Sequence, residues 1–299
     1  PGGSLQGYRN AGFDTAMAVE NDKDAVRTLK ENNKGIKVYD GCIKEFIRDY
    51  PTLSRALGPI THIQFSSPCQ DFSDANRAVA NSAVVAGPRE KADLSLLLID
   101  LIRLTSCETA VFENVVGIWR KKNVHYLLNI GKEVMKLGYQ FKCTVLYACD
   151  YGDPQRRPRF FMFIAKNNIP IPLFPPASHG HDCSLEPYVT VKDAFSKIES
   201  NETPINKTTK LRPGQHGHIR LDGNDVAPTL RCSGCTPFHY SEERLISVRE
   251  AAMLQSFPVD YVFHGSMTSQ YRQVGNAVPI ELSTSVAQSF RQVLQFQYA

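Results

Sequence analysis

Short apolar runs alternate with amphipathic stretches along most of this chain. Residues 15–20, Thr-Ala-Met-Ala-Val-Glu, predict a strand closing on an acidic side chain, and residues 24–33 predict a short helix with Val26 and Leu29 turned inward. His62-Ile63-Gln64-Phe65-Ser66 predicts a short buried strand that ends in a polar loop. Leu94, Leu97, Leu98, Leu101 and Ile102 fall at helical spacing. Residues 110–115 give a second strand ending on polar side chains. Tyr126, Ile130, Val134 and Leu137 mark another helix, followed by strands at 144–148 and 160–164. From Asn167 the character changes: Pro170, Pro172, Pro175 and Pro176 mark a linker. Residues 188–198 suggest an extended stretch and a short helix, while residues 201–225 are polar and weakly patterned. Ser247-Val-Arg-Glu250 is a capping box opening a helix to about Gln255. Leu282, Val286, Phe290 and Val293 predict a last amphipathic helix. Strands alternating with helices predict an α/β fold, a mixed and mostly parallel sheet with helices on both faces.

Composition narrows the class. A length of 299 residues suffices for one large domain, or a domain plus a smaller lobe. With 42% hydrophobic and 21% charged residues the chain is not of the disordered type. A net charge of +4 permits nucleic-acid binding without requiring it. No apolar run reaches the roughly 18 residues of a membrane span, so no membrane partner is expected. The start, Pro-Gly-Gly-Ser, is not a signal peptide. The 8 cysteines are scattered without framework spacing, which points to a reducing, intracellular compartment. Cys232-Ser-Gly-Cys235 is the one pair that suggests zinc. Four ligands are needed, and only His216, His218 and His239 are at hand, so it reads as a loop and no metal is expected.

Candidate chemistry sits where the strands end. Pro68-Cys69-Gln70 follows the strand at 62–66, Glu113 closes the next, and Gln155-Arg156-Arg157-Pro158-Arg159 precedes the third. Strand ends converge on the ligand crevice of an open α/β sheet. A Cys69 thiolate can add to an electron-poor ring, Glu113 can donate to a ring nitrogen, and an arginine can hold a ring carbonyl. Cytosine offers these features at carbon 6, N3 and O2, and addition at carbon 6 makes carbon 5 nucleophilic toward a methyl group.

These blocks, followed by Arg249-Glu250-Ala251-Ala252-Met253-Leu254-Gln255-Ser256-Phe257-Pro258 and Gln273-Val274-Gly275-Asn276-Ala277-Val278-Pro279, resemble the cytosine-5 DNA methyltransferases in order and spacing. The resemblance runs over nearly the whole chain. It implies a Rossmann-like S-adenosylmethionine-dependent methyltransferase fold with a small target-recognition lobe. Residues 1–166 would form the catalytic lobe, 167–245 the recognition lobe, and 246–299 would return to complete the first. Cys69 would be the nucleophile and Glu113 the group at cytosine N3, with Arg157 and Arg159 positioning the base and the Cys69 loop. S-adenosyl-L-methionine would be held by Gly2, Gly3, Ser4, Leu5, Glu20, Asn21, Asp40, Cys42, Pro68, Leu94, Asn276 and Val278. Glu20 is the candidate for the ribose, as an acid ending a strand of a nucleotide-type sheet. DNA is the expected partner, through Gln70, Ser73, Arg220 and Arg231, with the target base flipped out of the duplex. With so small a lobe, flanking domains or chromatin partners are expected to contribute to site choice.

Two features depart from the family pattern. The first block, Phe-x-Gly-x-Gly-Gly, begins only at Pro1-Gly2-Gly3, and the chain is read as a fragment of a longer protein whose upstream strand is expected to complete the fold. Gly41 takes the position of an adenine-binding Asp, for which Asp40 would substitute. Two rival readings have counter-indications. Transfer RNA methyltransferases of the same fold carry Cys-Phe-Thr, which does not occur here, and a non-catalytic regulatory paralogue would lack the nucleophile or the acid.

Overall fold

The computed structural model describes residues 2–67, 96–198, 214, 218–231 and 236–295. In chain order its elements begin with α1 (Gly3–Asn10), β1 (Ala18–Glu20), α2 (Lys23–Asn32), β2 (Val38–Asp40), α3 (Ile43–Leu57) and β3 (His62–Ser66). Then come α4 (Leu97–Thr105), β4 (Thr109–Asn114), α5 (Val124–Lys136), β5 (Tyr139–Tyr147), β6 (Gln155–Arg156) and β7 (Pro158–Lys166). The last are α6 (Val191–Phe195), β8 (Ala227–Pro228), α7 (Val248–Met253), α8 (Met267–Asn276) and α9 (Ile280–Gln295). The chain divides into two compact units. The first takes the stretch up to Asp40, Tyr147–Arg157 and Pro175–Gln288; the second takes Gly41–Leu146, Pro158–Phe174 and the chain from Ser289 on.

The second unit holds a four-stranded sheet in the order β3-β4-β7-β5. β3 and β4 run parallel with Ser66 beside Glu113, and β4 and β7 run antiparallel. Every residue of β4 is buried, as a central strand covered on both faces requires. Phe112 and Phe160 pack edge to face, and Phe290 near the end of α9 lies on Phe163 and on His62. Burial pushes His62 down to about 3, so it sits in this core as a neutral ring sharing a hydrogen bond with Thr109. On α4 the predicted stripe is buried at Leu98, Leu101 and Ile102, and on α5 at Ile130 and Val134. Gly131 is needed in α5 because a Cβ there would stand 2.5 Å from the Phe141 ring.

The first unit contains two short parallel ladders, β1–β2 and β6–β8. The expected single sheet is therefore three separate sheets among the described residues, of mixed direction as expected. The capping box at Ser247 is present: its hydroxyl accepts the Glu250 amide, and the Glu250 carboxylate accepts the Ser247 amide at 2.6 Å. Val191, Phe195, Leu221, Leu230, Ile246 and Leu254 build the core of this unit. α1 packs closely on the start of α9, with Gly7 so near that a Cβ would meet Ser283 Cβ at 2.6 Å.

Several boundaries differ from those the pattern predicts. The strand expected at 15–20 begins only at Ala18, whereas β5 starts five residues before 144 and β7 extends past both ends of 160–164. α9 buries Leu294 rather than Val293, continuing the four-residue step of Leu282, Val286 and Phe290. Among the described residues no helix is long and apolar enough to cross a membrane.

Candidate active site

The strand leading to Cys69 ends beside Glu113. Pairing of Ser66 with Glu113 places the polar ends of β3 and β4 side by side, and Cys69 follows Ser66 by three residues in the chain. Pro68, Cys69, Gln70, Ser73 and Leu94 themselves lie outside the described residues. The last described residue before them, Ser67, is tied to β4, because Asn114 Nδ2 donates to its hydroxyl at 2.9 Å. Sequence reading assigned Asn114 no role, although it stands inside the Glu-Asn-Val block that singled out Glu113.

Glu113 is buried, and its Oε1 lies 3.1 Å from Arg159 Nε on β7. Arg159 is almost as buried and also donates to the Pro158 carbonyl. A buried ion pair of this kind gains little net stability, since desolvation offsets most of the attraction. It does fix the carboxyl in one place and supplies a cation at the ends of β4 and β7. Cys107, Cys143 and Cys149 make poor nucleophiles, because burial pushes each thiol up to about 11.

Arg157 is placed differently. Side chains two apart on one strand share a face, but here β6 ends at Arg156 and β7 begins at Pro158. The Arg157 guanidinium is buried in the first unit, donating to the carbonyls of Leu230 (2.9 Å), Gly275 (2.5 Å) and Ala277 (3.1 Å). Gln155 beside it takes the Leu230 amide and donates to the Leu254 carbonyl. Arg157 therefore braces main chain, including the end of α8, where Asn276 stands.

The candidate cofactor residues of the first unit cluster at two places. Glu20 closes β1, with its Oε1 accepting the amides of Asn21 and Asp22 at 2.9 and 3.0 Å. Its ladder partner Asp40 forms an exposed ion pair with Lys23 at 2.9 Å. Gly2 has a φ of 103° and opens α1, and a Cβ on Gly3 would run into the Val278 carbonyl. Gly2, Gly3, Ser4 and Leu5 thus start a helix packed so closely on Tyr261 and Val278 that side chains at Gly2 or Gly3 would collide with them. A glycine turn at a helix N-terminus and an acid at a strand end are groups suited to the amino-acid and ribose ends of S-adenosylmethionine. Cys42 belongs to the second unit, where it precedes α3 and its amide donates to Glu45 at 2.8 Å.

Of the candidate DNA contacts, Arg231 is exposed. Arg220 holds the segment 239–243, donating to the carbonyls of His239 and Glu242 and pairing with Glu243 at 2.6 Å. Sequence reading gave no sign of the buried Arg244–Glu250 pair nearby, bonded at 2.7 and 2.8 Å. His239 adjoins that pair, and burial lowers its pKa.

The profile of the C-5 cytosine-specific DNA methylases matches residues 1–213 and 188–292. The chain is 30% identical to the Type II methyltransferase M1.HphI of Haemophilus parahaemolyticus, covering 96% of this chain and 83% of that protein. It is also 30% identical to M.AplI of Arthrospira platensis, covering 98% and 84%. Among solved structures, a putative DNA modification methyltransferase from an E. coli prophage superposes with a TM-score of 0.78 at 23% identity, covering 98% and 96%. A DNMT2 variant of Spodoptera frugiperda superposes with 0.68 at 18%, covering 97% and 96%. At these identities the superpositions speak for the fold, which is the Rossmann-like methyltransferase fold. Together with the profile match and the sequence relatives, they place the chain in the C-5 cytosine-specific DNA methylase family.

Proposed function

We propose that this protein methylates carbon 5 of cytosine in DNA, with Cys69 as nucleophile and Glu113 as the acid at N3. The observation that carries this reading is the pairing of Ser66 with Glu113, which brings the strand preceding Cys69 alongside the buried Glu113–Arg159 pair. The Cys69 thiolate adds to carbon 6 of a flipped-out cytosine while Glu113 donates to N3, drawing charge out of the ring. Carbon 5 becomes nucleophilic and takes the methyl group. Loss of the carbon 5 proton and departure of Cys69 restore the ring. Arg159 holds the Glu113 carboxyl in register through these steps.

Methylases of this family use S-adenosylmethionine as the methyl donor. In this chain Gly2, Gly3, Ser4 and Leu5 would hold its amino-acid end, Glu20 its ribose, and Asn21, Asp40, Cys42, Pro68, Leu94, Asn276 and Val278 the rest. Arg157 acts on this group by bracing the Gly275 and Ala277 carbonyls. Residues 167–245 would read the target, with Arg231, Gln70 and Ser73 reaching DNA and Arg220 ordering the lobe. Labelled-methyl transfer to duplex DNA and to transfer RNA, with the modified positions mapped, tests the reading. Label on carbon 5 of cytosine in DNA is expected. Label on transfer RNA alone, or on another atom of DNA, would overturn it.

A further inference from the structure

Helix α9 is capped from far along the chain. The first amides of a helix have no partner within it, and Pro279, just before α9, has no side-chain acceptor to offer. The Ile280 amide donates instead to the Gln255 carbonyl at 3.2 Å. Those of Glu281 and Leu282 donate to the two carboxyl oxygens of Asp153, at 3.3 and 2.9 Å. Asp153 is wholly buried. Ser256, a non-glycine residue at a φ of 60°, bonds to it through its side chain. Four residues further on, Arg157 holds the carbonyls of Gly275 and Ala277. The segment 153–157, around β6, therefore grips residues 275–282 twice, with a cation on the carbonyls and a carboxyl on the amides.

We propose that Asp153 is a positioning residue for the methyl donor: as a remote cap of α9 it fixes the turn at 275–279 and so sets the affinity for S-adenosylmethionine. The proposal rests on the reading that Asn276 and Val278 hold the donor. It also implies a dependence on pH. Burial pushes the Asp153 carboxyl up to about 7, against the hydrogen bonds from Ser256, Leu282 and Glu281 that favour its charged form. The Glu281 carboxylate repels it, and Glu281 in turn lies near Lys197 and His179. His179 also abuts Gly152. When ionised, Asp153 accepts both amides; once protonated, one oxygen becomes a donor facing an amide, and one of the two bonds is given up. The turn is held less firmly below about pH 7.

Calorimetric titration of S-adenosylmethionine into the full chain, between about pH 6 and about pH 8.5, tests this without DNA or turnover. Wild-type affinity should fall about three- to tenfold toward the acid end, the size of a charge interaction at a helix N-terminus. Asp153→Asn should bind weakly at every pH and lose the pH dependence, with the KM for the donor raised and kcat unchanged. His179→Gln should keep the fall toward acid pH, and Glu281→Gln should keep it with its midpoint moved to lower pH, because the carboxylate that repels Asp153 is gone. Asn276→Ala should weaken binding at every pH while keeping the pH dependence; if it does not weaken binding, the assignment of Asn276 fails separately. A flat wild-type profile overturns the proposal even if Asp153→Asn does not fold. So does a pH dependence that survives in Asp153→Asn or vanishes in Glu281→Gln or His179→Gln.

Discussion

Arg157 and Arg159, two positions apart, serve different partners, and their lysine variants should separate them. Arg159→Lys removes the planar guanidinium beside Glu113 but leaves the core intact. It should lower kcat by about tenfold or more with little change in unfolding midpoint. Arg157→Lys leaves the carbonyls of Leu230, Gly275 and Ala277 short of donors. Buried groups left unpaired cost about 1–3 kcal/mol each, so this variant should lose about 2–4 kcal/mol in urea unfolding, and a loss below about 0.5 kcal/mol would contradict the brace. Asp153 gives a pH test of stability. Its folded pKa near 7 lies above the ordinary carboxylate range, because relief from burying charge outweighs the amide bond lost on protonation. The stabilisation is thus fully present below about pH 4 and lost as pH rises through about 7. Unfolding free energy should fall with pH across that window in the wild type and less so in Asp153→Asn; equal slopes would contradict the assignment.

At the scale of elements, α1 and α9 meet through Gly7, and this contact should tolerate no added atom. A Cβ there would also lie 2.8 Å from the Thr284 amide nitrogen, and backbone cannot move aside as a side chain can. Gly7→Ala is expected to cost about 1–3 kcal/mol, the usual cost of overpacking, seen as a lower melting temperature; an unchanged or higher one would show that the helices slide apart freely. What the sequence revealed and what it hid follow from the same physics. β3, β4 and α5 were legible because their apolar positions carry the core: Phe65, Phe112, Ile130 and Val134 are all buried. α8 was not, because its buried positions include Ser269 and Gln273, and a polar buried face leaves no apolar stripe. Gln273 is satisfied there by the Thr28 hydroxyl and the His264 carbonyl. α3 was hidden by Pro51 inside it and by having only Phe46 and Tyr50 buried. α1 was missed since its glycines read as a turn. At the site, the place of Glu113 near the end of β4 was legible from the apolar run before it. The remote cap of α9 was not, because Asp153 is 128 residues from its nearer partner in the chain and no local pattern links them.

For the whole molecule, donor binding and covalent chemistry can be measured separately. S-adenosylmethionine at about 100 times its Kd should stabilise the folded protein by about 2.7 kcal/mol and raise the melting temperature, an effect that Asn276→Ala should weaken. An equal rise in that variant would place the donor elsewhere. The central claim, that Cys69 attacks a cytosine held by Glu113, is tested most directly by covalent trapping. Duplex DNA carrying 5-fluorocytosine cannot lose fluorine as it would a proton, so with S-adenosylmethionine present the attack should stop at a stable adduct. Mass mapping should find that adduct on Cys69. It should be absent in Cys69→Ala and form far more slowly in Glu113→Gln, whose DNA affinity should be retained because the acid acts mainly in the transition state. An adduct that survives Cys69→Ala, or that maps to Cys232 or Cys235, would contradict the account.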